Sequence, residues 1–269
     1  MRVCKMTASD AKKNFYIKVK RQDGPGKNPY YQTFELPYKP NLNIISCLQA
    51  IASNPVTIDG KQVAPVVWDC SCLEEVCGAC TMVMGGKVGQ SCSTLVDELM
   101  ERDGTGSKAN PITLEPMSKF PVVRDLFVDR ASMFNNLKDI KGWVPIDGTH
   151  HLGGGPRESQ EEQDLRYALS RCMTCGCCLE ACPQFSLEGN FVGAQVFGQT
   201  LYFNMHETGA TLKDDRLNVM QQAGGISDCG NAQNCVEVCP KELPLVEAIA
   251  KIGRQTTVHS VKQFFTGKK

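Results

Sequence analysis

The hydrophobic pattern at the start of the chain has a period of two. In Phe15–Lys20 the apolar residues Ile17 and Val19 alternate with lysines, which is typical of a half-buried β-strand. Residues 24–29 are rich in Gly and Pro and separate this segment from a second extended segment at Tyr30–Leu36. The spacing therefore predicts a β-hairpin.

The following segments alternate between helical and extended patterns. Asn43–Ala52 carries apolar residues at helical spacing, so we predict a helix there. Short apolar runs bounded by turn residues predict strands at Val63–Trp68, Thr81–Met84 and Ile112–Leu114. Gly85-Gly86 predicts a tight turn after one of these strands. Together these elements predict a small mixed sheet, and the break at Pro116–Pro121 places a domain boundary after residue 118.

Beyond residue 118 the pattern becomes helical. Pro121 suits the first turn of a helix. The apolar stripe of that predicted helix comprises Val123, Leu126, Phe127, Phe134 and Leu137. Ser159 and Glu162 form a capping-box signature before another helix, after a Gly-rich loop at 145–156. Further helices are predicted at Val192–Asn204, at Arg216–Ala223 and around Leu245, Ile249 and Ile252. We therefore predict an α+β fold with an all-α second domain at 119–269.

Composition narrows the classes of function. The 269 residues include 29 Lys+Arg and 29 Asp+Glu, and this balance argues against a general nucleic-acid binder. The sequence contains no apolar stretch long enough to span a membrane, and its first residues lack the apolar stretch of a signal peptide. The 15 cysteines are an odd number and fall mostly in three dense groups. Without an export signal, this clustering indicates metal binding rather than disulfides.

The first cysteine group follows the spacing C-x4-C-x2-C-x11-C: Cys72, Cys77, Cys80 and Cys92. Its first three members match the spacing of plant-type [2Fe–2S] ferredoxins. Gly78 permits close approach of the backbone to cluster sulfurs, and a hairpin would return the chain to supply the fourth ligand. The alternative is a four-thiolate zinc site, although zinc sites favour paired C-x2-C spacings. The order of elements around the loop fits a β-grasp ferredoxin domain.

Two further cysteine groups are related by a common motif. Residues 172–183 read C-x2-C-x2-C-x3-C-P, the run found in bacterial ferredoxins, where the fourth cysteine ligates the other cluster. Residues 229–240 match the same run, except that Ala232 occupies the position of its second cysteine. The exchange of fourth cysteines assigns a [4Fe–4S] cluster to Cys172, Cys175, Cys178 and Cys239. Three thiolates remain for the other cluster: Cys182, Cys229 and Cys235.

The missing fourth thiolate predicts a cluster that lacks one iron. The iron facing Ala232 would have no protein ligand, so we predict a [3Fe–4S] cluster at this site. A [4Fe–4S] cluster with one exchangeable iron is the alternative. We expect the remaining thiols to be unliganded: Cys4, Cys47, Cys70 and Cys177. The His150-His151 pair lies in the Gly-rich loop and is expected to be solvated.

From about Phe15 to about Ile252, the chain resembles the iron–sulfur subunits of succinate dehydrogenase and fumarate reductase. The resemblance rests on the cysteine motifs, on Leu73–Gly78 in the first loop and on Phe120–Leu126 at the domain junction. It implies a subunit that passes electrons from the covalently bound FAD of a flavoprotein through [2Fe–2S], [4Fe–4S] and [3Fe–4S] clusters. The acceptor would be haem b or a quinone in a membrane anchor, with this chain held at the cytoplasmic face of the membrane.

Some positions distinguish members of this family. Cys80 stands where some relatives have Asp, so full cysteine ligation is expected. Ubiquinone-using relatives have tryptophans and a histidine at positions represented here by residues 184–187 and by Gly230, so no quinone-binding residue is assigned. The pattern resembles members with a dihaem cytochrome b and menaquinone.

Three other functions remain open from the sequence. A quinol:fumarate reductase has the same parts operating in reverse. Subunits of heterodisulfide- or glycolate-oxidising enzymes commonly carry two [4Fe–4S] runs, and Ala232 together with the first domain argues against them. A zinc-organised interaction module is the alternative outside electron transfer.

Overall fold

The computed structural model describes residues 14–145 and 157–267. It divides into two compact units, the first ending at Asp129 and the second beginning at Arg130. Cys4, His150 and His151 lie outside the described residues.

The first unit is built on a five-stranded mixed sheet with the order β2-β1-β5-β3-β4. Its strands are β1 (Asn14–Arg21), β2 (Tyr30–Pro37), β3 (Thr81–Met84), β4 (Lys87–Gln90) and β5 (Ile112–Glu115). β1 and β2 form the predicted antiparallel hairpin, and β1 pairs in parallel with β5. The predicted mixed sheet is therefore confirmed. The prediction of a strand at Val63–Trp68 is wrong, because only a single bridge, between Val56 and Gln62, forms nearby.

Two helices accompany the sheet. Helix α1 (Ile44–Ser53) forms where its apolar spacing predicts, and the Asn43 side chain caps it by accepting a hydrogen bond from the Ser46 N–H. Helix α2 (Val96–Asp103) was not predicted. The alternating residues of β1 and the apolar face of α1 share one buried core.

The segment after Pro121 differs from its predicted helix. Residues there form a two-stranded hairpin of β6 (Val122–Arg124) and β7 (Phe127–Val128), and helix α3 (Ala131–Asp139) begins only afterwards. Asp125 turns the hairpin at a φ of 50°, and its buried carboxylate accepts hydrogen bonds from the Arg21 side chain and two backbone N–H groups. This long-range network ties the hairpin to the first unit and overrides the local helical spacing.

In the described part of the second unit, from Arg130 onward, every regular element is helical, whereas the all-α domain predicted for 119–269 also contains the β6–β7 hairpin. After α3 the α-helices are α4 (Gln160–Ser170), α5 (Cys177–Glu180), α6 (Ala194–Met205), α7 (Lys213–Met220), α8 (Asn234–Glu237) and α9 (Leu245–Thr266). Ser159 caps α4 as predicted, by accepting a hydrogen bond from the Glu162 N–H. Helix α6 packs against α4 and α9. Within residues 14–145 and 157–267, no helix has both the length and the apolar character needed to cross a bilayer.

Candidate metal centres

The β3–β4 hairpin brings two cysteines of the first group together. Cys80 immediately precedes β3 and Cys92 follows β4, and the register pairs Thr81 with Gln90. The Ser91 N–H and hydroxyl both donate to the Cys80 carbonyl oxygen, at 3.3 and 2.8 Å. Burial raises the pKa of Cys92 to about 11, and the adjacent Cys80 thiol contributes to the shift. The hairpin therefore places both thiols at one end of the sheet.

The loop before this hairpin surrounds Cys72 with backbone donors. The N–H groups of Glu74, Val76 and Cys77 lie 3.4, 3.3 and 3.3 Å from the Cys72 Sγ. These donors lower the pKa of Cys72 to about 7 because they stabilise the thiolate. The Ala79 N–H donates to the Cys77 Sγ at 3.4 Å in the same way.

The backbone conformation of this loop allows several N–H groups to point toward the cysteine sulfurs. Leu73 and Glu75 adopt positive φ values of 61° and 54°, and Gly78 adopts 70°. Left-handed residues change the direction of successive peptide groups, so several N–H groups can face the same side of the loop. A loop with inward N–H groups and thiolates is the donor set that a [2Fe–2S] cluster requires.

In the second unit, one cavity is lined by the four cysteines predicted to ligate [4Fe–4S] and is named here the four-cysteine cavity: Cys172, Cys175, Cys178 and Cys239. Cys177 lines it as well. Cys178 lies on α5, and Cys239 follows α8. Burial raises the pKa of Cys178 well above its ordinary value, and the neighbouring thiolates Cys175, Cys172 and Cys239 raise it further. The cavity thus brings together the four cysteines predicted for [4Fe–4S], with Cys177 as a fifth cysteine in its lining.

A neighbouring cavity, named here the three-cysteine cavity, is lined by Cys182, Cys229 and Cys235. Ala232 also lines it, so the residue at the position of the missing cysteine presents a methyl group to this space. Burial raises the pKa of Cys235, and the nearby Cys182 and Cys229 add to the effect. Each run therefore contributes three of its positions to one cavity and its last cysteine to the other.

Of the described cysteines outside these sets, Cys177 lines the four-cysteine cavity, whereas Cys47 and Cys70 line neither cavity. Cys47 is buried on α1, and burial raises its pKa to about 12. Cys70 is half-buried and packs against the core of the first unit. Cys177 is fully buried beside Cys175, and a hydrogen bond from its side chain lowers the pKa of Cys175 to about 7. Cys177 therefore contacts a predicted ligand, which its position in the sequence did not indicate.

The arrangement of ligands that holds a single metal ion differs from the arrangement that holds an iron–sulfur cluster. Among the described residues, no group of three or more His, Cys, Asp or Glu side chains converges where one metal ion could be held. In a cubane cluster each cysteine ligates a different iron, so the sulfurs of one set stand apart around a shared space. Each of the two cavities is lined by cysteines from two separate stretches of the chain.

Sequence reasoning also missed two buried glutamines next to the cysteine sets. Gln90 contacts Cys80, and Gln195 lines the four-cysteine cavity. A single glutamine belongs to no metal-binding motif, so only the fold reveals these positions.

The comparisons with known proteins agree with this geometry. Residues 16–135 match the family described as a 2Fe-2S iron-sulfur cluster binding domain, and residues 168–243 match a 4Fe-4S dicluster domain. The chain is 49% identical over 247 residues to the succinate dehydrogenase iron-sulfur subunit of Bacillus subtilis, covering 92% of this chain and 94% of that protein. It is 27% identical over 230 residues to the fumarate reductase iron-sulfur subunit of Wolinella succinogenes, covering 84% and 90%.

A solved structure has the same fold. The match is to the Mycobacterium smegmatis Sdh1 complex in the apo form, with a TM-score of 0.73 and 20% sequence identity. It covers 91% of this chain and 96% of the solved chain. The predicted α+β architecture, with a ferredoxin-like sheet domain before a helical dicluster domain, is thereby confirmed.

Proposed function

The chain belongs to the family of iron–sulfur subunits of succinate dehydrogenase and fumarate reductase, and on this premise we propose that it is the electron-transfer subunit of a succinate dehydrogenase. The observation that carries the proposal is the segregation of the cysteines into a loop set and two cavity sets. These sets match the ligand requirements of three clusters. The chain is 49% identical to a succinate dehydrogenase subunit and 27% identical to a fumarate reductase subunit, and this difference favours succinate oxidation.

Each set of thiols would hold one cluster. Cys72, Cys77, Cys80 and Cys92 would hold [2Fe–2S], and the four-cysteine cavity would hold [4Fe–4S]. The three-cysteine cavity would hold [3Fe–4S], because Ala232 offers no ligand atom there. Bound at these sites, the clusters supply centres that accept and release single electrons.

The residues of the chain itself prepare these sites. Backbone N–H groups around Cys72 stabilise negative charge on sulfur. Cys178 and Cys235 are buried, and the surrounding dielectric is one of the factors that set a cluster potential.

The partners follow from the family resemblance. We infer a flavoprotein subunit with covalent FAD as the electron donor and a cytochrome b membrane anchor with haem b as the acceptor, using menaquinone. Such an anchor would hold this chain peripherally at the cytoplasmic face of the cell membrane.

The proposal is tested by EPR spectroscopy of the purified complex, oxidised and reduced with dithionite, together with a haem assay. We expect an oxidised-state signal from [3Fe–4S] and reduced-state signals from [2Fe–2S] and [4Fe–4S]. Zinc in place of iron, or the absence of these signals in an intact preparation, contradicts the proposal. Absence of haem b contradicts only the assigned anchor type.

The substitution Ala232→Cys tests the three-thiolate assignment directly. A cysteine at this position supplies a ligand for a fourth iron, so the [3Fe–4S] signal should fade and a further [4Fe–4S] signal should appear. Ala232→Val is the matched control, since it enlarges the side chain without adding a ligand atom and should retain the [3Fe–4S] signal. An unchanged [3Fe–4S] signal in the cysteine variant would show that residue 232 does not face the cluster.

A further inference from the structure

Gln90 lies at the end of β4 with its side chain against a predicted ligand. It is 2% exposed, and its Oε1 lies 3.6 Å from the Cys80 Sγ, which donates the thiol hydrogen. The other end of the amide is also engaged, since Nε2 donates to the Thr81 hydroxyl at 2.8 Å. The Thr81 hydroxyl in turn donates to the Gly78 carbonyl oxygen at 2.8 Å.

Ligation of iron changes what Cys80 can accept or donate. A ligating cysteine is a thiolate, which has no hydrogen to donate, so the Gln90 oxygen would then face another acceptor. Rotation of the Gln90 carboxamide by about 180° around its Cγ–Cδ bond exchanges the positions of Oε1 and Nε2. An N–H group then points toward the Cys80 sulfur. The Thr81 hydroxyl has a single hydrogen, so it pairs with the turned amide oxygen by donating to Oε1 in place of the Gly78 carbonyl oxygen.

Gln195 presents an independent observation at the second unit. It is 3% exposed near the start of α6 and lines the four-cysteine cavity. Its Nε2 donates to the Thr174 hydroxyl at 3.3 Å, whereas its buried Oε1 has no hydrogen-bond partner among the described residues. An unsatisfied buried acceptor costs free energy. Half a turn would pair Oε1 with the Thr174 hydroxyl, whose hydrogen would move there from the Cys172 sulfur, and would leave the N–H groups for the cavity.

We propose that Gln90 and Gln195 each turn a side-chain N–H to a cluster sulfur, Gln90 at the [2Fe–2S] site and Gln195 at the [4Fe–4S] site, and thereby raise the reduction potentials of these clusters. The inference rests on the proposed function, because it requires clusters at both sites. Reduction adds negative charge to the sulfurs, so an N–H donor stabilises the reduced state more than the oxidised state. Both glutamines are positioning residues that act through the cluster environment and are not ligands.

The test is an EPR-monitored redox titration of the complex carrying Gln90→Leu or Gln195→Leu. Leucine has a similar size and no hydrogen-bonding group. We expect each variant to disfavour reduction of its own cluster about tenfold, which is about 59 mV for a one-electron couple. The other cluster should keep its potential, so each variant is the matched control for the other.

Retention of a cluster with an unchanged potential overturns the inference for that residue. If a variant loses its cluster, a measurement on the unaltered complex decides. Protein labelled with ¹⁵N at the glutamine side-chain amides should show a hyperfine coupling to each reduced cluster in pulsed EPR, and its absence also overturns the inference. An unaltered complex without [2Fe–2S] and [4Fe–4S] signals contradicts the proposed function, which is a different outcome.

Discussion

At the scale of single residues, the buried pair of Arg21 and Asp125 bears most directly on the stability of the first unit. Asp125 is 0% and Arg21 1% exposed, and the guanidinium Nε donates to the carboxylate at 2.9 Å. The other guanidinium nitrogens donate to Gln32 and to the Pro65 carbonyl oxygen. Every charged group of the pair thus has partners, which is the condition for burying charge.

Asp125→Ala should destabilise the first unit strongly. It leaves the Arg21 charge buried without a counterion, which costs about 3–5 kcal/mol. Thermal unfolding followed by circular dichroism and by [2Fe–2S] absorbance measures the loss. The control is Lys20→Ala, since the Lys20–Glu115 pair is partly exposed and contributes below about 1 kcal/mol. Similar melting temperatures for the two variants would contradict this prediction.

A second residue-scale prediction concerns Cys177. Cys177→Ser should retain all three clusters, because Cys177 lies outside the proposed ligand sets and serine keeps a hydrogen-bond donor beside Cys175. EPR signals and iron content per chain provide the measurement. Cys178→Ser is the comparison that should lose the [4Fe–4S] signal. Loss of a cluster in the Cys177 variant would mean that the cysteine register is misassigned.

Residue roles differ in how far the sequence predicts them. The cysteine sets were proposed from spacing, because ligand spacing within a short loop is fixed by the size of the cluster it surrounds. The exchange of Cys182 and Cys239 followed from the repeated motif. The role of Asp125 was not predictable, because its partner Arg21 is 104 residues away in the sequence. Gln90 and Gln195 depend in the same way on partners that only folding brings close.

At the scale of elements, local spacing predicted the β1–β2 hairpin, α1 and even the short strands β3 and β5, but it failed where distant residues decide the conformation. The segment after Pro121 has helical spacing, but its Val-Val pair favours extended structure and the buried Asp125 network fixes a hairpin. Val63–Trp68 has strand-like composition, yet Val67 uses its N–H to bind the Asp125 carboxylate instead of a neighbouring strand. Contacts with residues distant in the sequence therefore determine the conformation of both segments.

The cap of α1 connects an element to the first metal site. The Asn43 Oδ1 accepts from the Ser46 N–H at 2.8 Å, and its Nδ2 donates to the Cys92 carbonyl oxygen at 3.0 Å. Asn43→Ala should remove both bonds, with a cap loss of about 0.5–2 kcal/mol and faster loss of the [2Fe–2S] cluster. Melting curves and the decay of [2Fe–2S] absorbance measure the two effects.

A second substitution at the same position separates the two roles. Asn43→Asp keeps the cap acceptor but has no N–H for Cys92, so the helix should remain stable while the cluster decays faster. Cluster decay as slow as in the unaltered protein would show that the bond to Cys92 does not support the site.

At the scale of the whole molecule, the two units depend differently on their metal sites. The first unit has an extensive apolar core that includes Ile17, Val19 and Leu48, each fully buried. In the second unit, cysteines of both cavities lie on α5 and α8, which have four residues each. Helices this short are not stable by themselves. The clusters should therefore contribute more to the folding of the second unit than to that of the first.

Dismantling the clusters with ferricyanide and an iron chelator should consequently unfold the second unit first. Far-UV circular dichroism should lose helical signal while limited proteolysis, read by mass spectrometry, places the early cuts after Arg130. The same protein with chelator alone is the control, since intact clusters should protect both units. Early cuts between Asn14 and Asp129 would instead mean that the sheet unit relies on its cluster, and that its apolar core does not suffice to keep it folded.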